Sequence, residues 1–370
     1  MAQHQDVLSQ STRELLPVMT DNLSKFYPGV DLFLKGPNVD LKAAKGPYRE
    51  FSMWNKGPGN ARHIKDGSES YGGTRAQISQ QGKVEAARIV YAWDVPAKDV
   101  AEANADPAAA KKYVKRYSEA AMRDFLELIE KQVLMGNQST DACGALWTLN
   151  GDVTGNPLTG MADGWLGFAA KASQTGLVGN IRKEGHASGI TEWYNQWPAA
   201  GQINSWSDHG YKRVKNAYNQ ASLRAPGSKY CMISDLASFE QYEDGLLDQR
   251  RYVDVKLAGE EGAVARSGLR FGDRAVWYPS VLLDDTDSNF TTVSSQGILY
   301  GICEDHVYAF TLQADESPVS GGADDKYGFC MREPTKIPRQ DAFEYELIIH
   351  IGAYTDRLNV HFAAAGTSNV

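Results

Sequence analysis

Few residues in this chain stand at the spacings that chemistry needs. Gly185-His186-Ala187-Ser188-Gly189 sets a serine beside a histidine, the pair a hydrolase uses as nucleophile and base. It lacks the G-x-S-x-G elbow that would present the serine, so a small-residue loop is the plainer reading. Gly179-Asn180-Ile181-Arg182-Lys183 has neither the leading glycine spacing nor the Ser or Thr of a phosphate-binding loop. Acidic pairs at Asp284-Asp285 (with Asp287 close by) and Asp324-Asp325 have the charge for acid–base work or a hard cation. The Gly and closing Glu of an EF-hand loop are missing there, and acids in turns are ordinarily solvated. Cys143, Cys231, Cys303 and Cys330 form no C-x-x-C pair and have no histidine at ligand spacing, so they read as buried reduced thiols. Trp193-Tyr194-Asn195-Gln196-Trp197 is either a sugar-stacking platform or an aromatic core or subunit contact. Enrichment of Trp and Tyr at interfaces favours the contact. These patterns lead to the expectation of no catalytic, cofactor-binding or metal-binding residues.

The totals set bounds on other functions. At 370 residues the chain has room for about two compact units. A formal charge of −8 argues against a broad basic surface that grips nucleic acid, since phosphate neutralisation needs clustered Lys and Arg. The amino terminus, MAQHQDVLSQSTREL, has no basic segment followed by an apolar run, so no secretory signal is expected. No apolar stretch approaches the ~20 residues that span a bilayer.

The elements that must carry any function come in an unusual order. Residues 8–34 hold one apolar stripe at helical spacing (Leu15, Leu16, Met19, Leu23, Phe26), broken by Pro28-Gly29. Three Gly-Pro turns follow, at Gly36-Pro37, Gly46-Pro47 and Gly57-Pro58, and suit an extended arm. Tyr48 to Asn55 alternates, with Phe51 and Met53 on one face and Trp54 on the other; Val84 to Trp93 is rich in β-branched and aromatic residues. With the polar, Gly-rich stretch Lys56 to Gly82 between them, these two runs read as one long β-hairpin. Two strands alone bury too little to be stable. Phe51, Met53, Trp54, Ile89 and Tyr91 are therefore expected to bury against a partner.

A helix is expected over 107–135, capped by Asp106-Pro107 and stopped at Gly136. Val114, Tyr117, Ala121, Phe125, Leu128 and Ile129 take one side, and the charged residues, Glu130 among them, take the other. At 1.5 Å per residue it would be ~42 Å long. Further on, helices are expected after Asp208 and Asp235. Strands are expected at Tyr230–Ile233, Gly268–Tyr278, Gly297–Ile302, His306–Leu312, Phe343–Ile351 and Arg357–Phe362. The fold class is α+β with mixed sheets.

This order, an arm with a short helix, a long hairpin, a spine helix and then an α/β block, resembles the major capsid proteins of tailed bacteriophages, the Hong Kong 97-type coat proteins. Local runs that carry the likeness include Lys229-Tyr230-Cys231-Met232-Ile233-Ser234 with Phe239 and Tyr242 downstream, and the Gly272-Asp273 turn between closing strands. The resemblance implies an N-terminal arm (1–46), an extended hairpin or E-loop (47–93), a peripheral domain (94–205 and 332–370) with its spine helix, and an axial domain (206–331). It implies a non-enzymatic shell protein that forms pentamers and hexamers of an icosahedral capsid around double-stranded DNA, made in the host bacterial cytoplasm and ending in the virion. Its partners would be other copies of itself, a portal, a decoration protein and a separate scaffolding protein, the last because the chain starts from Met1 almost directly into the arm. Assembly contacts would fall on Leu15, Phe26, Phe51, Met53, Trp54, Arg75, Ile89 and Tyr91. Two other readings stand beside it: a bacterial nanocompartment shell of the same fold, and a glycan-binding virion module using Trp193 and Trp197.

Overall fold

The computed structural model describes residues 27–40, 48–54, 79–85, 87–105, 117, 119–130, 149–150, 177–178, 181–182, 193–196, 210–248, 268–280, 298–311, 328–332 and 334–365. Two sheets organise them. The first has five strands in the order β16-β11-β8-β10-β9: β8 is Tyr230–Ser234, β9 Leu269–Phe271, β10 Ala275–Pro279, β11 Ile298–Cys303 and β16 Phe362–Ala365. Every residue of β8 is buried, as expected of a central strand whose two faces are both covered. β10 runs parallel to it and β11 antiparallel.

The connection from β8 to β10 passes through helix α5 (Leu236–Asp248). Asp235 starts that helix as the sequence implies: its carboxylate accepts the Ser238 N–H at 3.0 Å and the Ser238 hydroxyl at 2.6 Å. Helix α4 (Tyr211–Arg224) lays Val214, Ala217, Tyr218 and Ala221, one stripe at i, i+3, i+4 and i+7, against the sheet. Tyr218, Tyr230, Phe271 and Phe362 meet there largely edge to face, with centroids 5.4–6.2 Å apart. Gly272 takes φ +66 in the turn between β9 and β10, a left-handed conformation that a side chain would strain.

The second sheet is built on β15 (Ala342–Thr355), fourteen residues long. One edge of β15 meets β12 (Val307–Thr311), β13 (Cys330–Met331) and β14 (Thr335–Lys336) in turn; β4 (Ala87–Pro96) pairs with it over ten residues, and β1 (Val39–Asp40) adds to β12 in parallel. Helix α2 (Ala97–Ala105) follows β4 directly and buries Val100 beside Val95, Met331 and Tyr345. Helix α3, residues 119–130, places Phe125 edge-on to Phe329 at 5.3 Å. Two small pairings complete the description: β2 (Tyr48–Trp54) with β3 (Ser79–Glu85), and a three-stranded set of β5 (Leu149–Asn150), β6 (Leu177–Val178) and β7 (Ile181–Arg182).

Several expectations need correction. Pro28-Gly29 begins a helix that the sequence did not mark: α1 runs Pro28–Lys35, with the proline in its first turn, where its missing N–H has no intrahelical acceptor to lose, while the stripe from Leu15 to Phe26 lies outside the described residues. The second hairpin strand is divided near residue 86. Its first part, β3, pairs back with β2, and the rest, β4, leaves the hairpin for β15. Helix α2 was not expected at all, because Ala97-Lys98-Asp99-Val100 carries too little apolar pattern to mark it. Arg357–Phe362 is not a strand: residues 358–360 form a 3-10 turn, and the strand starts at Phe362. In α3, Ala121, Phe125 and Ile129 are buried as expected, but Met122, Leu126 and Glu130 are buried with them while Leu128, and Tyr117 ahead of the helix, are exposed, so the covered face is rotated from the one expected. The ends of the expected 107–135 helix lie outside the described residues. β12 and β13 join β15, while β16 joins β11.

Candidate functional site

Among the described residues, the candidate functional surface is the place where residues 27–40, the β2–β3 hairpin base and the two sheets meet. The arm residues 27–40 are built into the body. Val30, Phe33 and Leu34 are buried, and the Asn38 side chain donates to the Asp305 carbonyl at 2.7 Å. The first N–H groups of a helix have no partner within it. Here a side chain one hundred residues away supplies one: the buried Glu130 carboxylate accepts the Val30 N–H at 2.8 Å. Its other oxygen faces the Ser280 hydroxyl at 3.4 Å, so one carboxylate touches α1, α3 and the end of β10. The sequence pattern gave no warning of this beyond the i, i+4 row Met122, Leu126, Glu130, which continues an apolar line into a charge.

The base of the hairpin is rooted in the same body. Phe51 stacks on Tyr354 of β15 at 4.9 Å, with Trp193 at 6.5 Å. Gly82 lies directly across from Phe51, and a Cβ at that position would collide with the ring; the glycine lets the aromatic cover the neighbouring strand. Met53 is buried beside it. On β4, Ile89 is buried, and Tyr91 is half-buried with its hydroxyl donating to Asp124 of α3 at 3.2 Å. Burial, with the Asp124 charge beside it, raises the Tyr91 phenol above its ordinary value. Trp93 stacks on Tyr345 at 5.7 Å, while Arg88, Val90, Ala92 and Asp94 face outward.

The eight residues expected to make assembly contacts therefore divide. Phe51, Met53 and Ile89 are covered by the chain itself; they hold the hairpin base in place. Tyr91 retains partial exposure. Trp54 ends β2, its side chain outside the description, and Leu15, Phe26 and Arg75 lie outside the described residues.

Of the groups read for chemistry, His186, Ser188, Asp284, Asp285, Asp287, Asp324, Asp325 and Trp197 also lie outside the described residues. Trp193 is 1% exposed, too enclosed to serve as a sugar platform. The segment behind it is spliced to the chain's end: Gln196 receives the Ala363 N–H at 3.1 Å and donates its own N–H to the His361 carbonyl at 2.8 Å. Cys231, Cys303 and Cys330 are buried free thiols, and burial pushes Cys303 up to about 11. Among the described residues no three His, Cys, Asp or Glu side chains gather as metal ligands, and no helix is long and apolar enough to cross a membrane. A cleft of about 240 Å³ lined by Met53, Trp193, Arg224, Asp356, Arg357 and Asn359 opens between hairpin base, α4 and the turn after β15.

Two features join the sheets. The chain passes from β11 to β12 through Glu304–His306, and from β15 to β16 through residues 356–361. These two crossovers run side by side and bond to each other. The Cys303 N–H donates to His361 Nδ1 at 3.0 Å, and His306 Nδ1 lies 2.9 Å from the Asp356 carboxylate.

Among the described residues, the geometry is that of two sheets joined by a double crossover, with residues 27–40 and the β2–β3 pair packed against them. Solved structures of known proteins resemble this chain in overall fold. The capsid asymmetric unit of cyanophage A-1(L) superimposes with a TM-score of 0.56 at 12% identity, over 90% of this chain and 91% of that one. A structure from Mycobacterium phage Adephagia gives 0.48 at 10% identity, over 93% and 90%. A virus-like particle from Pyrococcus furiosus gives 0.41 at 11% identity, over 93% and 98%. No protein-family model matches the sequence, and no curated protein does. The chain has the fold of a phage capsid protein. At this level of identity the likeness rests on burial pattern and topology, the properties a fold retains while individual side chains are exchanged.

Proposed function

We propose that this chain is the major capsid protein of a tailed bacteriophage, of Hong Kong 97 type, and that it has no enzymatic role. The observation that carries the reading is the near full-length match to the cyanophage capsid chain, combined with a hairpin whose base is rooted in the body. Its copies form the pentamers and hexamers of an icosahedral shell enclosing double-stranded DNA, assembled with a portal, a separate scaffolding protein and a decoration protein. The net charge of −8 suits a wall that must not hold its cargo by phosphate contacts. The contacts between copies fall on Leu15 and Phe26 of the arm, on Trp54 and Arg75 of the hairpin and on Tyr91 with the exposed Val90. Phe51, Met53 and Ile89 serve them by fixing the angle at which the hairpin leaves.

The test is replacement of residues 55–78 by Asn-Gly, a two-residue turn that preserves the pairing of Trp54 with Ser79. Negative-stain microscopy of the parent chain, expressed with its neighbours' products, should show closed particles, rings or tubes. The shortened chain should fold with unchanged circular dichroism and fail to assemble. Normal shells from the shortened chain, or a parent that stays monomeric under every condition, would overturn the reading. Shells filled with protein in place of DNA would move the assignment to a nanocompartment.

A further inference from the structure

The paired crossovers carry more than connectivity. Each contributes a histidine that bonds to the other: His306, at the end of the first, faces Asp356 of the second, and His361, at the end of the second, faces the backbone of Cys303 in the first. A backbone N–H only donates, so His361 Nδ1 must be the bare acceptor and its proton must sit on Nε2. The Nε2–H then meets Thr355 Oγ1 at 3.0 Å, and the Thr355 hydroxyl passes its own proton to the Arg357 carbonyl at 3.0 Å. Every position in this relay is fixed by its neighbour. The imidazole is fully buried.

We propose that the paired crossovers form a latch, held shut by neutral His361, that fixes the angle between the two sheets at neutral pH and opens on acidification. A proton added to His361 Nδ1 removes the acceptor of the Cys303 N–H and places a cation in an enclosed site. Both effects favour a state in which the two crossovers separate and water reaches the ring.

The surroundings set the direction of the response. From the first crossover, Cys303 is held neutral by burial, and Glu304 is raised by burial as well. Asp305 stands near the same thiol. From its own crossover, Asp356 is engaged by His306, and Arg357 contributes its backbone to Thr355. Helix α4 turns Val214, Ala217, Tyr218 and Ala221 inward, so no charge approaches from that side; Arg224 lines the cleft with Asp356 and Arg357. Burial, reinforced by the His306 charge, depresses His361 from 6.5 to about 3.

The sign follows from linkage. The closed state refuses a proton that the open state accepts below the ordinary histidine value. The opening constant should therefore rise about tenfold for each pH unit from 6.5 down to about 3 and then level off.

Hydrogen exchange of the purified chain, corrected for intrinsic rates, reads this directly. The Cys303 amide should lose protection about tenfold per pH unit on acidification, while the Met232 amide in the centre of β8 holds. His361→Asn, whose side-chain oxygen accepts the same N–H without titrating, should flatten that dependence. The idea fails if the variant shows the parent's slope, if the parent shows none, or if Met232 opens in step with Cys303. A measurement on the unsubstituted chain guards against a variant that does not fold. The His361 imidazole nitrogens should report a proton on Nε2 alone at about pH 5, below the value at which an ordinary histidine is mostly charged. A cation or the opposite tautomer there would refute the latch.

Discussion

Glu130 offers the sharpest test of how the arm is held. Its carboxylate is buried and accepts the Val30 N–H at 2.8 Å, an N–H that helix α1 itself leaves unpaired. Hydrogen bonds to charged groups contribute about 1.5–3 kcal/mol, and an orphaned buried donor costs about 1–3 kcal/mol. The negative charge at a helix N-terminus adds about 0.3–1 kcal/mol more. These terms overlap, and Glu130→Ala should loosen α1 by about 2–3 kcal/mol. Because 1.36 kcal/mol is a factor of ten, the exchange of amides near Val30 should accelerate about 30- to 150-fold. Glu130→Gln keeps an oxygen in place and loses only the charge, so it should show roughly half the effect on a logarithmic scale. Exchange mass spectrometry of a peptide covering 27–35 makes the measurement, with β8 as an internal reference. If Glu130→Ala leaves that peptide as protected as before, the segment is held by its buried Val30, Phe33 and Leu34, the Asn38 bond and the β1–β12 pairing, and the carboxylate is incidental. If Gln is as damaging as Ala, the charge matters and the hydrogen bond does not.

Two further outcomes follow from the packing. Phe51→Ala removes the ring that stacks on Tyr354 and covers Gly82; it should destabilise the hairpin base by about 3–5 kcal/mol. Exchange should show this in residues 48–54 and 79–85 while β4 keeps its protection from β15, and equal loss in β4 would mean the two pairings are not separable. In alkali, burial holds Tyr218, Tyr242 and Tyr345 at about 12, against an ordinary value of 10. Unfolded tyrosines release protons first, so stability should fall between pH 10 and about 12, by about 1.4 kcal/mol per pH unit for each such tyrosine. Absorbance of the phenolate near 295 nm, followed together with circular dichroism, should show a fraction of tyrosines titrating only as the fold is lost; a smooth titration of all of them without unfolding would contradict their burial.

The elements with strong local signals were legible before the structure. Asp235 at a helix start, the continuous apolar run of β8 and the Gly272 turn each announce themselves in a few residues. The candidate surface was only half legible, for a physical reason. Alternation along Tyr48–Trp54 correctly groups Phe51 with Met53 as the face to be covered, but a strand pattern does not say what covers it. The cover is Tyr354, three hundred residues away, and nothing local in either segment encodes the pairing. The division of the second hairpin strand near residue 86 is hidden for the same reason, because both halves have strand character and only the partner changes. Glu130 and His361 escaped because a buried ionisable residue surrounded by its satisfying partners reads, in sequence, like any solvated one.

The pairing of β4 with β15 also sets a timetable. The two strands are separated by about 250 residues of chain, so the sheet is dominated by a contact of very long sequence range. At a synthesis rate of ~5–20 residues per second, β4 waits on the order of 10–50 s on the ribosome before its partner emerges. During that interval its ladder groups and the Trp93 ring have no β15 to meet. The second sheet is therefore completed only once β15, the strand on which it is built, has been made.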